Sequence, residues 1–549
     1  MITQNKILKL KTCSRQIKSC ILILFSCLSV LLSCFSLSAQ QLNYTLNRDY
    51  LYGYDNYFNN KEEKFQTFVK PYRYADINQV KDSTIAFPLF KDAYGRYLPV
   101  IKTKDKKKKK IEIDVSPLIT STFGYQATSP SRFTSDLAIG GNIMGSIGNK
   151  FSFNLKALAG RATFNSYTDS IINATHIIPG IGYAYRANND SVNRAYSYQY
   201  LTGYLSYSPN KIFNFQVGQD KQFWGDGYRS LFLSDVSAPY PYFKITTNVW
   251  KFNYVNLYTI MKDATNPSGL KKDWSTKYAS FHYLGINVSK RINIGLFESV
   301  VWQGTDNNRY RGYDINYMNP ILFFRPTEYS LGSSDNALIG LSYKIKIFKK
   351  QQLYGQLLVD DFALKEALQH NGNWQNKEAL QMGFKSFDVF KINRLNFQTE
   401  FNSARPYTYS HGSVQQNYGQ LNQPLAHPLG ANFMESATFL NYRYKRIFIE
   451  AKCIYAVYGA DSTGKDYGKN IFISYVNRLS DYGNHIAQGI RTNLITTSLR
   501  GAYILDSRMN FKIEAGVSYR VEQTSTYTKQ TPYIFVGIKT DLGNLYNDF

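Results

Sequence analysis

The sequence predicts an all-β protein: a transmembrane antiparallel β-barrel of roughly 16–18 strands, preceded by a short N-terminal periplasmic segment. Three observations predict it. Stretches that alternate with a period of two recur from residue 111 to the C-terminal end. The connections between them switch between short polar turns and long loops rich in Gly, Asn and Pro. Beyond the first forty residues, no run approaches the roughly 18 apolar residues that a spanning helix needs, although 16% of the chain is aromatic, with 46 Tyr.

The first forty residues differ in kind from the rest. Lys6, Lys9, Lys11, Arg15 and Lys18 make a basic start, an apolar stretch runs from Cys20 to Leu37, and small residues follow at Ser38-Ala39-Gln40. This is the layout of a secretory signal peptide over residues 1–39, with cleavage after Ala39. Leu31-Leu32-Ser33-Cys34 is also similar to a lipoprotein processing site, which would leave a lipidated Cys34. Both readings export the protein. Taking away these five basic residues leaves 59 Lys and Arg against 39 Asp and Glu, a net charge of about +20. Such a chain suits anionic partners, acidic polysaccharide or lipid phosphate among them, unless the cations only dress loops and lumen. Of five cysteines only Cys453 survives cleavage, so an oxidising compartment is used without an intramolecular disulfide. A closed, hydrogen-bonded wall is the other source of stability.

Residues 40–110 read as the periplasmic segment. They are rich in Asn, Asp, Lys and Tyr, lack sustained periodicity, and close on Lys106 to Lys110, a run whose self-repulsion keeps a linker extended. From residue 111 to 549 the barrel pattern takes over. Phe151, Phe153 and Leu155 alternate with Ser152, Asn154 and Lys156. Phe213, Phe215 and Val217 alternate with Asn214 and Gln216. Leu341, Tyr343, Ile345 and Ile347 alternate with Ser342, Lys344 and Lys346. In Trp250-Lys251-Phe252-Asn253-Tyr254-Val255, the aromatics are expected to face lipid while Lys251 and Asn253 face the lumen. Ser208-Pro209-Asn210, Ser289-Lys290-Arg291, Lys349-Lys350-Gln351 and Asp506-Ser507-Arg508 read as tight turns. Residues 163–195, 303–335, 404–434 and 459–469 read as long extracellular loops. A propeller would also alternate, but its repeat of about 40–50 residues is missing.

No catalytic set stands out. The six His residues are scattered, and there is no phosphate-binding glycine loop, zinc-spaced Cys/His set or Gly-x-Ser-x-Gly elbow. Asp360 and Asp361 are neighbours on a strand and so point to opposite faces. The expectation is a non-enzyme with no cofactor, no metal and no nucleic-acid partner. The distinctive segment is Gly218 to Phe243, GQDKQFWGDGYRSLFLSDVSAPYPYF, too polar and irregular for a lipid-facing strand. Trp224 between glycines, with Asp226, Tyr228, Arg229 and Tyr240, forms the candidate set. Aromatic faces suit the C–H faces of sugars, while carboxylate and guanidinium groups suit hydroxyls and sugar acids. The same residues would serve equally as a loop folded into the lumen, its polar groups paired as a plug.

This segment resembles the capsule-assembly barrels of the Wzi type, through Trp224-Gly225-Asp226-Gly227 and Ser237-Ala238-Pro239-Tyr240-Pro241. The likeness continues loosely through Asn319-Pro320 with Phe323-Phe324-Arg325 and through Leu358-Val359-Asp360-Asp361-Phe362. A second block, from Ala404 to Ser436, is similar to the RemB-like gliding-motility branch of the Bacteroidetes. The resemblance implies an outer-membrane barrel of about 18 strands, set in outer-membrane lipid, that binds or organises surface polysaccharide in capsule or exopolysaccharide assembly, with gliding as a further role. The other reading is a diffusion or export channel.

Overall fold

The computed structural model describes residues 42–60, 64–74, 101–102 and 111–549, apart from positions 189, 191–192, 266–270, 307–308, 322–334, 362–363, 370, 507–508 and 541–542. The expected signal peptide, the Cys34 alternative, the five-lysine run, and part of the turn at 506–508 lie outside the described residues.

Alternating segments become eighteen long strands. They are β1 (Ile111–Gln126), β2 (Arg132–Ile147), β3 (Phe151–Thr163), β4 (Ala195–Tyr207), β5 (Phe213–Asp220) and β6 (Tyr240–Val249). β7 (Phe252–Asp263), β8 (Ser275–Asn287), β9 (Ile292–Gln303), β10 (Asn336–Lys346), β11 (Gln351–Asp361) and β12 (Lys377–Ser386) follow. The series ends with β13 (Leu395–Ala404), β14 (Phe433–Tyr444), β15 (Ile447–Ala460), β16 (Ile490–Asp506), β17 (Phe511–Gln523) and β18 (Thr528–Lys539). Each pairs antiparallel with its sequence neighbours, and β18 returns to β1 from Tyr533↔Gln126 to Lys539↔Thr120. The sheet is closed, which leaves no unpaired edge in lipid.

The pattern of two sorts the side chains. Phe123, Phe133, Ile139, Leu155, Leu205, Val217, Leu341, Ile534 and Val536 are exposed on the outside. Their strand neighbours Ser152, Asn214, Gln216, Ser342 and Lys344 are buried inside. An apolar exterior around a polar interior is what a lipid-spanning wall requires, since an outward Lys or Arg at the midplane would cost about 2–4 kcal/mol. Tight turns gather at one end, including 208–212, 288–291 and 347–350. The long connections 164–194, 304–335, 405–432 and 461–489 gather at the other.

The expectation for residues 250–255 needs correction at its start. Trp250 and Lys251 are not strand residues but a two-residue turn, bracketed by the pair Val249↔Phe252, with Trp250 at φ 52°. Both are exposed, and the Lys251 ammonium lies 4.8 Å over the Trp250 ring. Further along β7 the two faces exchange character. Val255, Leu257 and Met261 point inward to an apolar core, while Asn256 points outward, where its Oδ1 accepts from His282 Nδ1 of β8 at 2.7 Å. This outward polar row is covered by chain instead of lipid. Residues 311–320 fold down the outer wall, where Ser280 Oγ donates to the Tyr317 carbonyl (2.8 Å) and Tyr258 to that of Met318 (3.0 Å). Trp302 packs at 4.8 Å from Tyr317 and 5.1 Å from Tyr313.

The lumen is filled by four pieces. Residues 42–60 and 64–74 sit at the short-turn end and include helix α1 (Arg48–Phe58), whose N-cap Asn47 accepts from Tyr50 N–H. Loops 221–239 and 405–432 meet in the middle, and the tail from Gly543 to Phe549 runs beside them. Within the first long loop, helix α2 (Ser166–Thr175) covers the far side.

Candidate functional site

At Asp220 the chain leaves the wall, crosses the lumen and rejoins it at Tyr240. Glycine makes the crossing possible: a Cβ on Gly227 would lie 2.7 Å from Glu400 Oε2 and 2.8 Å from the Arg229 carbonyl. The N-terminal segment pins the start of the crossing through the strand pairs Val69↔Trp224 and Lys70↔Phe223. Loop 405–432 pins its middle. Ser234 N–H donates to the Leu425 carbonyl (2.7 Å), Tyr409 OH to Leu231 (2.9 Å) and Tyr418 OH to Phe232 (2.6 Å).

The five candidate residues do not form one cluster. Trp224 is 0% exposed, its ring edge-on to Phe281 and Phe297 at 6.1 Å and tilted against Tyr283 at 6.0 Å. No face of the indole is open to a sugar. Tyr240 is equally enclosed at the head of β6. Asp226 looks toward the N-terminal segment. It accepts from the Thr67 hydroxyl, which in turn accepts from Lys344 Nζ at 2.6 Å. Burial opposes the Asp226 charge, but Lys344 and Lys70 outweigh it and hold the carboxyl below its usual range.

Arg229 and Tyr228 do meet, at the centre of a buried network. The guanidinium is 1% exposed and reaches Glu435 through Nε (3.2 Å) and Nη2 (3.0 Å), and Asp548 through Nη2 (3.0 Å). Tyr228 OH donates to Asp548, and Lys452 Nζ stands 2.5 Å from the same carboxylate. Burial disfavours the Asp548 charge, yet Arg229 and Lys452 hold it well below the ordinary carboxylate range. Glu400 accepts from the backbone N–H groups of Tyr228 (2.7 Å) and Arg229 (2.9 Å) and from Tyr354 OH (2.8 Å). His427 Nε2 meets Glu435 at 2.8 Å. Sequence reasoning offered Asp226 and Arg229 as each other's partners or a ligand's. Instead each finds its charged or hydroxyl partners in other parts of the chain.

Glu400, Glu435, His427, Lys452 and Asp548 were not singled out in the sequence. The parity of Glu400 and Glu435 on alternating strands marks them as inward carboxylates needing cations, but nothing in the sequence says which. Asp360 is likewise inward, with Lys377 at 3.1 Å and Tyr409 N–H at 2.6 Å, while Asp361 is exposed on the other face. Chemically the network is a lock. Its acids and bases hold one another and the crossing loop in place.

No known protein-family profile matches the chain, and no curated protein matches it either. Among solved structures it is similar to Wzi of Escherichia coli, described as a carbohydrate-binding β-barrel involved in group 1 capsule assembly. The identity is 13% and the TM-score 0.49, over 78% of this chain and 85% of that one. It is also similar to the outer membrane protein OprD of Pseudomonas aeruginosa, at 9% identity and TM-score 0.42, over 79% and 94% of the two chains. OpdK of the same organism, solved with vanillate, matches at 10% and 0.41 over 78% and 98%. At such identities the likeness is one of architecture.

Proposed function

We propose that this protein is an exported outer-membrane barrel that binds or organises surface polysaccharide and carries out no chemistry of its own. The observation that carries the reading is the filled lumen. Loop 221–239 is tied to the wall at Glu400 and Glu435, to the tail at Asp548 and to loop 405–432 at Leu425. A diffusion pathway is poorly served by such an interior, whereas a rigid scaffold for extracellular loops is well served. Alternating short and long connections set the long loops outward, in the outer-membrane manner. The Wzi-type motif around Trp224 and Ser237 supports capsule or exopolysaccharide assembly as the setting. The RemB-like block from Ala404 to Ser436 supports gliding motility as a narrower form of the same role.

Two measurements test the reading together. The purified barrel in a planar bilayer is expected to be silent, and cells lacking the protein are expected to lose surface polysaccharide. Steady conductance with polysaccharide unchanged would establish the channel instead.

A further inference from the structure

At the short-turn end, a cavity of about 1220 Å³ opens between α1 and the inner wall. It lies above the usual 300–1,000 Å³ of small-molecule pockets. Its cations come from separate turns and strand ends: Arg291, Lys346, Lys349, Lys350, Arg394 and Arg443. No carboxylate stands among the described residues that line it. Lys350 is balanced by Asp388 at 2.8 Å, and Lys346 donates to the Asn60 carbonyl at 2.8 Å. Arg443 donates to the backbone carbonyl of Asp49 at 3.5 Å. Cations gathered in a concave space focus a positive potential and concentrate anions there.

The floor adds a second requirement. Asn441 is 2% exposed, and neither atom of its side-chain amide has a hydrogen-bond partner among the described residues. The Tyr52 hydroxyl, in a side chain 6% exposed, is in the same position. Native proteins rarely leave buried polar groups so. Asn393 and Asn396 extend the amide surface, and the rings of Tyr52, Tyr57 and Phe448 border it. An acyl chain would meet amides here instead of an apolar slot. An extended peptide would find no free strand edge in a closed sheet.

We propose that this cavity is a binding site for an acidic oligosaccharide arriving from the short-turn side. The arginine and lysine groups hold its carboxylates, Asn393 meets its hydroxyls, and the rings take the C–H faces of the sugars. The proposal rests on the polysaccharide reading and gives it a charge, a side and a place distant from Trp224.

The test is calorimetric titration of the purified full-length barrel with tetragalacturonate, with maltotetraose and with inorganic phosphate. Tetragalacturonate is expected to bind, more weakly as salt rises, and the neutral oligomer is expected not to. Arg291→Gln with Arg394→Gln should weaken binding about tenfold or more, equivalent to about 1.4 kcal/mol, with the unfolding temperature unchanged. If the pair does not fold, Arg291→Gln alone serves, because that side chain is exposed. Equal binding of maltotetraose, full competition by phosphate, or an unaffected variant would overturn the proposal. Polysaccharide lost from cells lacking the protein, with no tetragalacturonate bound in vitro, would remove this site and leave the wider function standing. Tetragalacturonate binding without that loss would support the site and remove the wider function.

Discussion

Arg229 draws together a strand and a terminal tail: Glu435 belongs to β14, and Asp548 lies 113 positions further along the chain. Replacing it by Ala leaves both carboxylates buried near one another with His427 and Lys452 as remaining counter-charges. Breaking a buried pair in this way costs about 3–5 kcal/mol, so Arg229→Ala is expected to lower the unfolding temperature of the detergent-solubilised barrel markedly. An unchanged transition would mean that the network is not a lock. Trp224→Ala should act through stability too, because the indole is enclosed. Asp466, in the long connection 461–489, gives a pH signature. Burial and the nearby Asp461 push its carboxyl up to about 6, against the Gly468 N–H that it accepts at 2.8 Å. An acid raised in the folded state binds protons more readily there than in the unfolded chain. The loop is therefore unburdened below about pH 4, and stability falls as pH climbs toward 6. Asp466→Asn should add about 1–3 kcal/mol at neutral pH, and thermal scans should show that gain vanishing near pH 4. A gain that persists in acid would refute this cause. At this scale the sequence was partly legible: Arg229 and Asp226 stood out by type, while their partners, remote in sequence, did not.

Helix α1 is an element whose hold is electrostatic. Asp49 takes Arg500 at 2.7 Å and Lys512 at 2.5 Å, and Arg48 takes Glu450 at 2.5 Å while its guanidinium lies 4.1 Å over Tyr228. On the helix's other side, Asp55 pairs with Lys385 at 2.8 Å. Asp49→Asn removes the charge that Arg500 and Lys512 share. Amide hydrogen exchange across residues 48–58 should then rise, while exchange in β14–β16 stays slow. Uniform exchange in both proteins would show that the helix is held by packing alone. The helix itself was not foreseen, since residues 40–110 carry no apolar period. What orders it is a set of partners in β14–β17 that local sequence does not display. The strands were legible wherever lipid and water set the two faces, as in β3, β5 and β10. They were not where protein replaced both. Val255 and Leu257 of β7 face the aromatic core around Trp224, and Asn256 faces the strap over the outer wall, so the alternation survives with its polarity reversed. The turn at Trp250-Lys251 was missed because an exposed Trp at a tight turn reads as a strand residue.

The whole molecule is a closed wall around a dense interior, and the surplus of basic residues is used in two ways. Part is spent inside on carboxylates, as with Arg229, Lys452, Arg500 and Lys512. Part is gathered at the short-turn mouth, a division that composition alone does not reveal. Strand number, closure and loop ends followed from periodicity, because each strand solves the same local problem. The contents of the lumen did not, because they depend on contacts between distant segments. That arrangement also bears on time. Residues 42–60 and 64–74 touch Gln216, Gly285, Lys344, Lys385 and Arg500, so they lie against wall from β5 to β16. The seam between β1 and β18 joins strands from the two ends of the sheet, and such non-local closure makes folding slow. Unfolding of the wall has to break that seam, so the protein's persistence is governed by a rate as much as by an equilibrium.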